Sequence, residues 1–95
     1  MIDIICTQRI KPGMEEQAEK LLREAEKQTL ANDKGCERYE WYRSDEPDTY
    51  VLIERWTDIQ YVRAHLGSPH MTDLLKQLAD VAPERFTVRR LTRLS

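Results

Sequence analysis

The spacing of apolar residues changes along this chain from a period of two to about 3.6 and back, which confines it to a mixed fold of strands and helices. From Ile2 to Ile10 the residues Ile2, Ile4, Cys6 and Ile10 share one parity while Asp3, Thr7 and Arg9 fall on the other, a half-buried strand closed by Lys11-Pro12-Gly13. From Met14 the stripe becomes helical through Ala18, Leu21, Leu22, Ala25 and Thr29, until Asn32-Asp33-Lys34-Gly35 ends it. Strands are expected over 37–43 and 49–56, joined by the turn cluster Ser44-Asp45-Glu46-Pro47-Asp48. Thr57 with Gln60 has the form of a capping box, opening a short helix with Ile59, Val62 and Leu66 inward and Gly67 as its stop. Ser68 caps the next helix, with Pro69 in its first position and Met71, Leu74, Leu75 and Leu78 as its stripe down to about Ala82. Phe86 to Leu94 is a last strand. The order β-α-β-β-α-α-β is a ferredoxin-like α+β arrangement, two split βαβ halves in a single domain spanning 1–95.

Helices can cover only one face of such a sheet, yet the third strand is apolar on both, with Tyr50, Leu52 and Trp56 on one parity and Val51 and Ile53 on the other. Ile5 opposes Ile4 in the same way on the first strand. Apolar patches of that size are rare on monomers, so a homodimer packed sheet to sheet is expected.

Composition removes several function classes. Fifteen Lys and Arg against 17 Asp and Glu leave a net charge of −2, without the basic excess that nucleic-acid binding draws on. No apolar run approaches the ~20 residues that span a bilayer, and Asp3 interrupts a signal-peptide start, so no membrane partner and a cytoplasmic location are expected. Cys6 and Cys36 are too few for a disulfide framework and read as free thiols.

No GxGxxG, P-loop, HExxH, paired CxxC or Gly-x-Ser-x-Gly signature is present, so neither cofactor nor metal is expected. What can carry chemistry gathers at the junction of the two C-terminal helices: His65, Ser68, His70 and Asp73, with Trp56 at the strand end before them. His70 and His65, the only histidines, are the candidate catalytic residues, since an imidazole suits proton abstraction from an acidic hydroxyl. The competing reading is that each merely bonds a carbonyl or a cap. Five apart across a Gly-Ser-Pro break, they are not the i, i+4 pair of a helical zinc site, and spacing marks no third ligand. Trp56 and Tyr50 are the candidate substrate-binding residues, although a buried aromatic at a strand end more often belongs to core or interface. The arginines of the last strand read as a solvated edge.

The strand before Ile10-Lys11-Pro12-Gly13, Lys34-Gly35-Cys36 ahead of Tyr39-Glu40, the strand end Glu54-Arg55-Trp56, and Ala64-His65-Leu66-Gly67-Ser68-Pro69-His70 together resemble the antibiotic biosynthesis monooxygenase family, whose small members include quinol monooxygenases. The resemblance covers nearly the whole chain. It implies a dimeric α+β barrel, a pocket between sheet and helices, and oxidation of a quinol or phenolic compound by O2 without flavin, haem or metal. Where haem-cleaving members carry Asn, Trp and a ligating His, this sequence has Cys6, His65 and Leu75, which disfavours haem degradation. Leu52 occupies the place of an Asn in polyketide-modifying members, and only Trp56 matches their pattern. Autoinducer-processing members are isomerases, so a small-carbonyl isomerase and a non-catalytic dimeric module for a small aromatic ligand are the alternatives.

Overall fold

Every expected element forms. The computed structural model describes all 95 residues and runs β1 (Ile2–Arg9), α1 (Glu15–Asn32), β2 (Cys36–Arg43), β3 (Thr49–Trp56), α2 (Ile59–Leu66), α3 (Pro69–Leu78) and β4 (Thr87–Leu91). The four strands make one antiparallel sheet in the order β2-β3-β1-β4, the ferredoxin-like arrangement. No helix is long and apolar enough to cross a membrane.

Register decides which side chains meet under the helices. Cys6 lies opposite Leu52, and Glu54 opposite both Ile4 and Tyr39. One core cluster joins Ile2, Ile4, Cys6, Tyr39, Leu52 and Trp56 to Val62 of α2. A second joins Ile10, Ala18, Leu22 and Tyr50 to Leu78 and Val81, and a third, Ala25 with Met71 and Leu74, holds α1 against α3. On the helix-free face Ile5, Val51 and Ile53 are half-buried, while Tyr42 and Leu91 are exposed.

Four local expectations are corrected. Asp58, not Thr57, caps α2, its Oδ1 accepting from the Gln60 N–H at 3.1 Å. On α2 the inward position expected of Leu66 is taken by His65, and Leu66 is 53% exposed. Helix α3 stops at Leu78 instead of near Ala82, because the N–H groups of Asp80 and Val81 donate three residues back, to the Gln77 and Leu78 carbonyls at 3.2 and 3.0 Å, and tighten the chain into a turn. Strand β4 pairs with β1 only over Thr87–Leu91, shorter than the expected 86–94.

Gly35 makes the turn that delivers the chain from α1 to β2. Its φ is +77°, and a Cβ there would sit 2.3 Å from the Tyr61 ring and 2.9 Å from Thr57 Oγ1. Gly13 has a similar φ of +86° but open space around it. Gly13→Ala should therefore cost only backbone strain, about 1 kcal/mol, and Gly35→Ala about 3 kcal/mol or more because a ring must also move. Chemical denaturation of the two variants checks the difference; equal costs would contradict it.

Candidate functional site

The site is built where α1 ends. Asp33, immediately after α1, leaves the helix in an extended conformation and keeps its N–H on the Thr29 carbonyl at 3.0 Å, which points the turn toward α2 and α3. Its Oδ2 accepts from His65 Nδ1 at 2.5 Å and from His70 Nε2 at 3.0 Å. A carboxylate can only accept, so both imidazoles present N–H groups to it. Ser68, the cap of α3, donates its hydroxyl to the His65 carbonyl at 2.6 Å and brings Oγ to 3.3 Å from His70 Nε2. The helix junction thus places its two histidines on one carboxylate.

The two rings occupy different surroundings. His65 is buried, with its ring 5.3 Å from Tyr39 edge-on and 4.9 Å from Trp56. It lines a small apolar cavity of about 70 Å³ together with Ile4, Cys6, Tyr39, Glu54 and Met71, and Leu66, Phe86 and Val88 lie along its edge. His70 and Asp33 instead line an open cleft of about 660 Å³ between α1 and α3. His65 lines the cavity and Asp33 the cleft, so their contact connects the two.

Glu54 is the second carboxylate of the site. It is buried with no cation beside it; Trp56 Nε1 donates to its Oε1 at 2.9 Å and the Cys6 thiol to its Oε2 at 3.3 Å. Burial, and then the charge of Glu54, pushes the Cys6 thiol well above its ordinary range, so Cys6 stays a protonated donor and is no nucleophile. The same two causes, in the same order, raise the Tyr39 phenol. Its hydroxyl lies 4.0 Å from Met71 Sδ, and it provides an apolar wall rather than a base. Cys36, by contrast half-buried, has its thiol pushed up to about 11 by burial. The indole N–H of Trp41, another cavity residue, is buried without a protein partner.

Of the four residues singled out by sequence, the structure brings three together. His65 and His70 meet through Asp33, and Trp56 packs on His65, although it is fully buried behind His65 and Glu54 and does not line the cavity. Tyr50 is not among them: it sits in the cluster with Ile10 and Leu22, and its hydroxyl donates to Glu19 Oε2 at 2.6 Å beside the Glu19–Arg43 ion pair. Sequence reasoning missed Asp33 and Glu54. Glu54 could have been found, since it shares the inward parity of Leu52 and Trp56. Asp33 lies 32 residues from His65 in a segment that reads only as a helix stop, and no spacing connects them.

The four-stranded ferredoxin-like sheet thus holds a histidine and a buried carboxylate under its helices. A family model described as antibiotic biosynthesis monooxygenase matches residues 1–77, and the chain belongs to that family. It is 31% identical over 81 residues to the Escherichia coli K12 protein named probable quinol monooxygenase YgiN, covering 75% of this chain and 78% of that one. Among solved structures it is similar to Rv0793 from Mycobacterium tuberculosis, at 26% identity and a TM-score of 0.88 over 99% of this chain and 95% of that one. A structure described as antibiotic biosynthesis monooxygenase aligns over 100% of both chains with a TM-score of 0.90 at 24% identity, a likeness of fold.

The placement of Tyr50 yields a check at acid pH. The Tyr50 hydroxyl, and then Arg43, hold the Glu19 carboxyl below its ordinary range, so this contact stabilises the fold above the unfolded pKa of about 4.3 and is lost as pH falls through the lower, folded value. Tyr50→Phe should cost about 1 to 2 kcal/mol at pH 7, a deficit that shrinks as the pH drops below 4. Urea midpoints of both proteins from pH 7 to 3 measure it, and a pH-independent difference would argue against the contact.

Proposed function

We propose that the protein is a cofactor-independent monooxygenase that oxidises a quinol or phenolic aromatic compound with O2, using His65 as the base. The observation that carries this reading is the Asp33–His65 pair at the wall of an apolar cavity. Asp33 takes the N–H of Nδ1, which leaves the lone pair of His65 on Nε2 to accept a proton, and Trp56 and Tyr39 fix the plane of the ring. Membership of the monooxygenase family and the likeness to a protein named for quinol oxidation support the same chemistry.

In this mechanism the substrate hydroxyl gives its proton to His65, and the resulting anion passes one electron to O2. The radical pair recombines as a new carbon–oxygen bond, and the hydroperoxide takes up the proton from His65. Loss of water, with the hydrogen of the attacked carbon, leaves the carbonyl of the oxidised ring. One O2 is consumed per substrate, one oxygen atom entering the product and the other leaving as water; all four electrons that this takes come from the substrate. The protein supplies position, a base and exclusion of water. The free volume near 70 Å³ corresponds to about two waters at ~30 Å³ each, so a ringed substrate enters by displacing Leu66, Phe86 and Val88 at the edge, of which Leu66 and Val88 are already more than half exposed.

His70 shares Asp33 from the side of the cleft, so its part is to hold the carboxylate. Oxygen uptake with a panel of reduced naphthoquinones and phenols, using chelator-treated protein, tests the activity. His65→Gln should lower turnover by about 10² to 10⁴ with the fold retained, Asp33→Asn should lower it in the same direction, and His70→Gln should keep the larger part. Undiminished uptake in His65→Gln would refute the base.

The apolar helix-free face supports a second proposal, a homodimer joined sheet to sheet through Ile5, Val51 and Ile53. Sedimentation at micromolar concentration should give twice the chain mass of 11.3 kDa, and Ile53→Glu should give one chain mass. Wild-type protein sedimenting as one chain would contradict it. Free thiols at Cys6 and Cys36 fit the cytoplasmic location proposed with this function.

A further inference from the structure

Two imidazole nitrogens and a carboxylate oxygen meet beneath the open cleft. His65 Nδ1, His70 Nε2 and Asp33 Oδ2 all lie within 4.8 Å of one another. We propose that Asp33, His65 and His70 form a binding site for a divalent transition cation of the zinc type, and that its occupation withdraws His65 from proton transfer. The second half rests on the reading of His65 as the base; the first does not.

The donor set selects the ion. Two imidazoles and one carboxylate suit zinc, cobalt, nickel or copper, whereas magnesium and calcium favour all-oxygen sets. Three protein ligands plus a position open to water is the pattern of accessible zinc sites, and here the cleft of about 660 Å³ supplies both the route and the water. Tetrahedral ligands at about 2.1 Å from one ion stand about 3.4 Å apart, so the present oxygen–nitrogen separations must open by less than about 1 Å. Asp33 sits after the end of α1 and His70 in the first turn of α3, where small side-chain rotations suffice. Asp73 and Glu24 along the cleft add negative potential on the approach. Cys6 and Glu54 take no part, since they are bonded to each other within the core.

Coordination and proton transfer use His65 in incompatible ways. With no metal, Nδ1 carries the proton, donated to Asp33, and Nε2 carries the lone pair. A cation on Nδ1 takes the lone pair there and moves the proton to Nε2, so the ring has nothing left with which to accept one. Zinc would then act as an inhibitor rather than as a cofactor.

Tag-free, chelator-treated protein titrated with zinc chloride by calorimetry tests the site, with magnesium as the control ion and cobalt absorption in the visible range as a second readout. One zinc per chain is expected, with no uptake of magnesium. Asp33→Asn and His70→Gln, each checked for native circular dichroism, should weaken zinc binding by about 100-fold or more, and Cys36→Ser should leave it unchanged. No binding by wild-type protein at micromolar zinc, or wild-type affinity in both ligand variants, would overturn the site. Saturating zinc should also stop oxygen uptake, with recovery on adding chelator. Full uptake at saturation would overturn the inhibitory half, while the binding titration judges the site by itself.

Discussion

Three helices lie over one face of a four-stranded sheet, and everything else in this chain follows from that one-sided cover. Side chains of inward parity on β1, β2 and β3 must be filled, paired or walled off beneath α1, α2 and α3, and this is where Trp56, Tyr39 and Leu52 are buried. Inward parity also carries Glu54 into the core, where only the indole N–H of Trp56 and the thiol of Cys6 satisfy it. A buried carboxylate without a cation is tolerated because both its oxygens are bonded. Outward parity leaves Ile5, Val51 and Ile53 with no cover from their own chain.

The same geometry sets the Asp33–His65 contact between a cavity and a cleft. The short helix α2 turns its Val62 and His65 inward, and the helix-junction loop sets His70 on the far side of Asp33. His65 lines an apolar cavity, while Asp33 and His70 line a polar cleft between α1 and α3. One carboxylate connects the two environments. The proposed proton abstraction and the proposed cation binding would compete for that single imidazole, decided by which of its nitrogens carries the hydrogen.

Much of the fold was legible because it rests on local periodicity. Strands β1, β2 and β3, the pairing hairpin, the Ser68–Pro69 start of α3 and the stop at Gly67 all follow from residues within a few positions of one another. The failures are places where distant chain decides. Lys11, just beyond β1, holds the carbonyls of Asp80 and Val81 in the turn that follows α3. On α2 a histidine, rather than Leu66, faces inward, where Asp33 from the turn after α1 satisfies it. His65 and His70 were readable as candidates; the carboxylate that joins them was not, since an Asp at a helix end looks like any other stop. Tyr50 misled for the opposite reason, its inward parity being correct but its hydroxyl bound at the Glu19 end of the sheet.

By accepting from Nδ1, Asp33 fixes which nitrogen of His65 is free. With only two histidines in the chain, long-range nitrogen–proton correlation on uniformly ¹⁵N-labelled protein resolves both rings. His65 should show a protonated Nδ1 and an unprotonated Nε2 in the wild type, and Asp33→Asn should abolish that preference. A proton on Nε2 of wild-type His65, or on both nitrogens at neutral pH, would contradict the account.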